Sequence, residues 1–170
     1  MPKGLKETSS LIGIGFNTVE TVANTFIQER VDLQLNPLDN EVFIVYAIDL
    51  DPTAPDNVAG VNTATTCSIT TTSRTATVNL GDSSCLANKV LNIRQDAGSL
   101  TGVPFSRGSD ESPATQLDYV GTISTNDFFI QLVGTGNAHP KGVSGRVYGV
   151  RARADASVYA ALVQSEVLTA

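Results

Sequence analysis

Three aspartates gather where the chain's most apolar run ends. In "NEVFIVYAIDLDPTAPD", residues 40–56, Asp49 and Asp51 are two positions apart and Asp56 follows in a loop with two prolines. On a strand, residues two apart share a face, so Asp49 and Asp51 point the same way. Clustered carboxylate oxygens beside a loop are the ligands calcium prefers, which makes Asp49, Asp51 and Asp56 the one candidate ion site. The calcium-loop pattern of alternating acids with a central Gly and a closing Glu is absent, because Pro52 and Pro55 occupy its middle. A glycosidase pair would need a second carboxylate across a cleft, which this stretch does not supply. Asp-Pro is also an ordinary way to end a strand, and that structural reading is preferred here.

The other candidates carry less chemistry. "GIGFNT" at 13–18 has Gly-x-Gly without the third glycine or a strand-then-helix frame, so it does not match a dinucleotide fingerprint. The single histidine, His139, sits in the turn "GNAHPKG" with no nucleophile context. "GVSGR" at 142–146 would need a glycine two residues after Ser144 to make a nucleophile elbow, but that position holds Arg146, so the stretch is read as a solvated turn. Arg146, Arg151 and Arg153 form a small basic group before the last segment. Arg151 and Arg153 share one strand face, opposite Tyr148, Val150 and Ala152. Such a stripe suits phosphate or an acidic neighbour, and contact with another subunit is the preferred use in a chain with 17 acidic residues. Cys67 and Cys85 are isolated and far apart. With one histidine they make no zinc set, and they read as two half-buried thiols, with a disulfide as the alternative. No catalytic residue, cofactor or metal is assigned, and the chain is expected not to be an enzyme.

The elements around these residues are short strands. At 170 residues the chain is long enough for one domain with a real core. It is 41% hydrophobic and 16% charged, and its Thr, Ser, Asn and Gly content suits sheets and turns. The net charge of −6 argues against nonspecific nucleic-acid binding, and "MPKGLKETSS" is no basic arm. "LIGIGF" is too short for a secretion signal's apolar core, and no segment approaches the roughly 20 apolar residues of a membrane helix. A soluble chain is expected, with residues 1–10 as a flexible arm and 11–170 as a single β-sandwich domain.

Along that domain, 17–28 is expected to be extended, Val31-Leu33-Leu35 alternate as a half-buried strand, and "NPLDNE" is a turn. "EVFIVYAIDL" is expected to be buried on both faces. The Thr-rich 61–80 predicts two strands broken near Arg74, 90–116 a short strand and then a long surface loop, and 117–154 three further strands. In "ASVYAALVQSEVL", Tyr159, Leu162, Val163 and Val167 fall at helical spacing after Asp155, which predicts one short C-terminal helix. Many short strands separated by Gly, Pro and Asn turns make the fold all-β, a jelly roll or related β-sandwich.

"ERVDLQLNPLDNEVFIVYAIDLDP" and the stretches "STNDFFIQLVGTGN" and "GRVYGVRARADASVYAALVQSEVL" resemble capsid and virion structural proteins of uncultured marine viruses. The resemblance covers a third to a half of the chain. It implies a major capsid protein, a jelly roll assembled in many copies into a virion shell in the host cytoplasm, partnered by itself and by other virion proteins. It brings no catalytic residues. The alternatives are a subunit of an extracellular filament or tube, and a β-sandwich module that binds carbohydrate or a cell surface. The absence of Trp and the presence of only four Tyr weigh against the last.

Overall fold

The apolar run after Asn40 becomes β4 (Glu41–Pro52), the central strand of one of two sheets. The computed structural model describes residues 2–96, 98, 101–109 and 117–170. In chain order the other strands are β1 (Leu5–Glu7), β2 (Ile12–Val19), β3 (Ile27–Asp32), β5 (Thr63–Thr70), β6 (Cys85–Gln95), β7 (Gly102–Gly108), β8 (Gly121–Ile123), β9 (Asp127–Thr135) and β10 (Gly142–Ala154), followed by α1 (Ala156–Leu168). One sheet has the order β1-β10-β4-β8, and β2 continues the edge of β10 that β1 begins. The other has the order β3-β9-β5-β6-β7. Every pairing is antiparallel.

Without β1 and β7, the sheets are β2-β10-β4-β8 and β3-β9-β5-β6. Eight antiparallel strands that alternate between two sheets in this order form a jelly roll, as the alternation of short strands and turns suggests.

Between the sheets lies the main core, which includes Phe16, Phe43, Val45, Ile69, Phe128 and Leu132. Each fully buried side chain of this size contributes about 1.5–3 kcal/mol through apolar area removed from water. A second, smaller core lies on the outer face of the first sheet, where Val42, Ile44, Val150, Ala152 and Ala154 pack against Val158, Tyr159 and Leu162 of α1. The two-sided burial expected of β4 is therefore real over Val42–Val45, and its cause is the helix lying over that end.

The burial of β4 changes halfway. Tyr148 pairs with Ala47 and Gly149 with Val45, which leaves Tyr46 as an extra, unpaired residue. Such a bulge reverses side-chain parity. Phe43 and Val45 face the main core before it, and Ile48 and Leu50 do so after it. Asp49 and Asp51 are consequently turned out to solvent.

Four expectations are revised. The flexible arm expected at 1–10 contains β1, held on β10 through Leu5–Ala154 to Glu7–Ala152. Within 17–28, residues 20–26 leave the strand conformation between β2 and β3. The second Thr-rich strand does not form: residues after Thr70 cross the outer face of β5 and β9. There Arg74 N donates to Gln28 Oε1 (2.8 Å) and Val78 N to Ser68 Oγ (3.2 Å). Beneath this cover, buried Gln131 accepts from Ser68 Oγ (2.8 Å) and donates to Thr70 Oγ1 (2.6 Å). Finally, the long loop expected after residue 95 includes β7, while residues 97, 99, 100 and 110–116 of that loop lie outside the described residues.

Candidate functional site

The three aspartates do not converge. Asp49 and Asp51 lie on the outer face of β4, in register with Arg146 and Ser144 of β10. Asp56 lies beyond the strand and serves the loop that precedes β10. Its Oδ2 accepts from Ala138 N (3.0 Å) and His139 N (2.9 Å), and its Oδ1 lies 2.6 Å from Lys141 Nζ. Lys141 donation, together with the His139 contacts, draws the Asp56 carboxyl down to about 2. Among the described residues no group of three or more His, Cys, Asp or Glu side chains could hold a metal ion.

A polar cluster surrounds Lys141 at this end of the sandwich. Glu20 is buried, and its Oε1 accepts from Gly134 N (2.6 Å) while Oε2 accepts from Lys141 N (2.8 Å). Asn137 N donates to Asn24 Oδ1 (2.8 Å), Asn24 Nδ2 donates back to Asn137 O (2.8 Å), and Asn137 Nδ2 donates to Ala64 O (2.8 Å). Each buried polar group here has a partner, so the cluster fastens loops to one another. The His139 ring, its side chain 80% exposed, lies 3.3 Å from Asp56. It sits in the solvated turn that its sequence context indicates.

The arginines separate as well. Arg146 is on the outer face of β10, whereas Arg151 and Arg153 are on the other face. Arg151 donates to Leu33 O (2.8 Å) and Gln34 O (3.2 Å) and pairs with Glu41 (3.2 Å). Arg153 pairs with Asp39 at 3.1 Å. Both are thus tied to the turn before β4. "GIGFNT" lies in β2 and "GVSGR" in β10, paired with each other along their length, so neither forms a phosphate loop or a nucleophile elbow.

Cys67 and Cys85 are thiols, not a disulfide. Cys85 pairs with Thr70, three residues along β5 from Cys67. That offset is about 10 Å, beyond the reach of a disulfide. Burial, reinforced by Asp82, pushes the Cys85 thiol up to about 11.

Sequence reasoning missed Glu20, Lys141 and Glu166. Glu166 is buried on α1 and accepts from Ser124 N (2.8 Å), Ser124 Oγ, Thr125 N (3.1 Å) and Thr125 Oγ1 (2.6 Å). The only sequence signal for it is a lone acid next to the apolar helix positions. For Glu20 and Lys141 the partners are remote in sequence and no local pattern marks them.

No protein family and no curated protein matches the chain. Among solved structures, a chain described as Desmodium yellow mottle tymovirus is similar over 92% of this chain and 96% of its own, with 10% identity and a TM-score of 0.34. A likeness of that size carries no argument about function.

Proposed function

We propose that this chain is a non-enzymatic viral coat protein, many copies of which assemble into a virion shell. The observation that carries the reading is the strand order β2-β10-β4-β8 over β3-β9-β5-β6, the jelly roll shared by viral shell proteins, lectins and cupins. Fold alone does not choose among these. A cupin-type site needs room between the sheets, and here that space is filled by Phe16, Phe43, Phe128 and their neighbours.

The surface favours a shell over a single docking face. Large apolar side chains are exposed on separate elements: Leu38 at 93% in the turn before β4, Leu168 at 77% at the end of α1, and Leu11 and Val22 at 63% on either side of β2. A shell subunit meets neighbours on several sides, and apolar groups spread in this way suit contacts of that kind. Arg146 and Arg153 are the proposed polar contacts, Arg153 remaining 60% exposed beside Asp39. Arg151 is committed to its own chain.

The test is the assembly state. Purified protein imaged by electron microscopy and sized by light scattering is expected to form closed particles. A monodisperse monomer at high concentration, with no particles, overturns the reading.

A further inference from the structure

The outer face of β6 and β7 carries a trough that no role above uses. A depression of about 510 Å³ is lined by Thr66, Thr77, Asn79, Asn88 and Arg107, among others, between β6 and the segment after Arg74. A second, of about 320 Å³, shares Arg107 and adds Asn92, Arg94 and Phe105. A third, of about 330 Å³, shares Asn92 and Phe105 and extends toward Pro55. The first two follow the outer face, and the third wraps round the β7 edge onto Leu91, Ile93, Pro104 and Ser106 of the opposite face.

Register fixes what lies along this trough. Arg107 is opposite Val90, Phe105 opposite Asn92, and Val103 opposite Arg94. Directly paired residues share a face, so Arg107, Phe105 and Arg94 follow one another along the trough. Their backbone positions are four residues apart along the strands, about 13 Å. Phe105, 54% exposed, lies midway. Neither arginine has a hydrogen bond or ion pair among the described residues. The side chains of Thr66, Thr77 and Asn88 are equally uncommitted there. No described lining residue is acidic, in a chain with 17 acidic residues.

We propose that this trough binds a linear acidic oligosaccharide, with two of its carboxylates held by Arg94 and Arg107 and a sugar ring laid on Phe105 between them. Guanidinium groups hold carboxylates through paired hydrogen bonds, and the Asn and Thr side chains supply donors and acceptors for ring hydroxyls. A peptide added as a strand is disfavoured, since Pro104 stands in the middle of edge strand β7 and provides no N–H. Single-stranded nucleic acid is disfavoured too: it presents a charge at every nucleotide and a base at every step, against two cations and one aromatic ring on a chain of net charge −6. The inference does not depend on whether copies assemble.

The test is calorimetric and NMR titration of the purified protein with uronic-acid oligosaccharides, neutral oligosaccharides of the same length, and short oligothymidylate. Binding is expected for the uronic-acid series alone. Arg94→Ala and Arg107→Ala should each weaken it by about tenfold or more, and Arg107→Lys by less than Arg107→Ala. Phe105→Ala should weaken it by several-fold. All three positions are exposed, so unchanged thermal unfolding will show that the variants fold. Absence of binding to uronic-acid oligosaccharides at millimolar concentration overturns the proposal. So does binding left intact in both alanine variants, or tighter binding to oligothymidylate.

Discussion

Lys141 Nζ lies 2.6 Å from Asp56 Oδ1, so a buried ammonium joins the loop after β4 to the turn that enters β10. Asp56 also receives the two backbone N–H groups of Ala138 and His139. The carboxylate therefore organises the turn and neutralises a charge that would otherwise be buried alone.

This pair sets a pH dependence. The Asp56 carboxyl is lowered from its ordinary value of 3.8 to about 2. Between those values the unfolded chain binds more protons, so the contribution is complete above the unfolded value and is lost as pH falls toward 2. Thermal unfolding of Asp56→Asn across the acid range should show a flatter acid limb than the parent, together with lower stability at neutral pH. An acid limb identical to the parent's refutes this role.

Glu166 anchors α1 through four hydrogen bonds to Ser124 and Thr125. Glu166→Ala leaves those donors without their acceptor and should cost about 2–3 kcal/mol in denaturant unfolding. Hydrogen exchange should rise across 156–168 before it rises in β9. Uniform exchange throughout the chain would show that the helix has no separate attachment.

Gly149 stands where a Cβ would run into the Ile44 carbonyl and the Phe43 ring. Gly149→Ala should therefore destabilise by about 1–3 kcal/mol, through overpacking of the central strand pair. Chemical denaturation measures this directly. A neutral result would mean that β4 and β10 can move apart without loss.

Cys67 is fully buried and the Cys85 thiol is raised to about 11. At pH 8 the Cys85 thiolate fraction is on the order of one in a thousand. Thiol titration of the native protein should give little fast reaction, and two equivalents should appear on unfolding. Rapid native labelling at Cys85 would contradict its placement.

Several elements were legible because their signal is local. β4, β9 and β10 are long apolar or alternating runs, and α1 shows helical spacing after Asp155. β7 was hidden because Gly102, Pro104 and Gly108 carry loop chemistry, and only pairing with β6 makes the segment a strand. Residues 75–80 erred the other way. Their Thr-rich composition suits a strand, but Ser68, Thr70 and Gln131 make a polar outer face that needs a cover, and this segment supplies it. β1 was lost in what looked like an arm. For the site, sequence placed Asp49 and Asp51 together correctly but had no means of sending Asp56 to Lys141, whose partnership spans 85 positions.

The unpaired Tyr46 also has a consequence for sequence change. Upstream of it β4 serves both the sandwich interior and the helix, and downstream it serves the interior and water. Removing this one residue would let β4 and β10 pair without interruption and keep Ile48 and Leu50 inward, whereas pairing Tyr46 as an ordinary strand residue would turn Asp49 and Asp51 inward among Phe16, Val143 and Val147. In related chains the apolar alternation along this strand should break phase where the extra residue is present and run unbroken where it is absent.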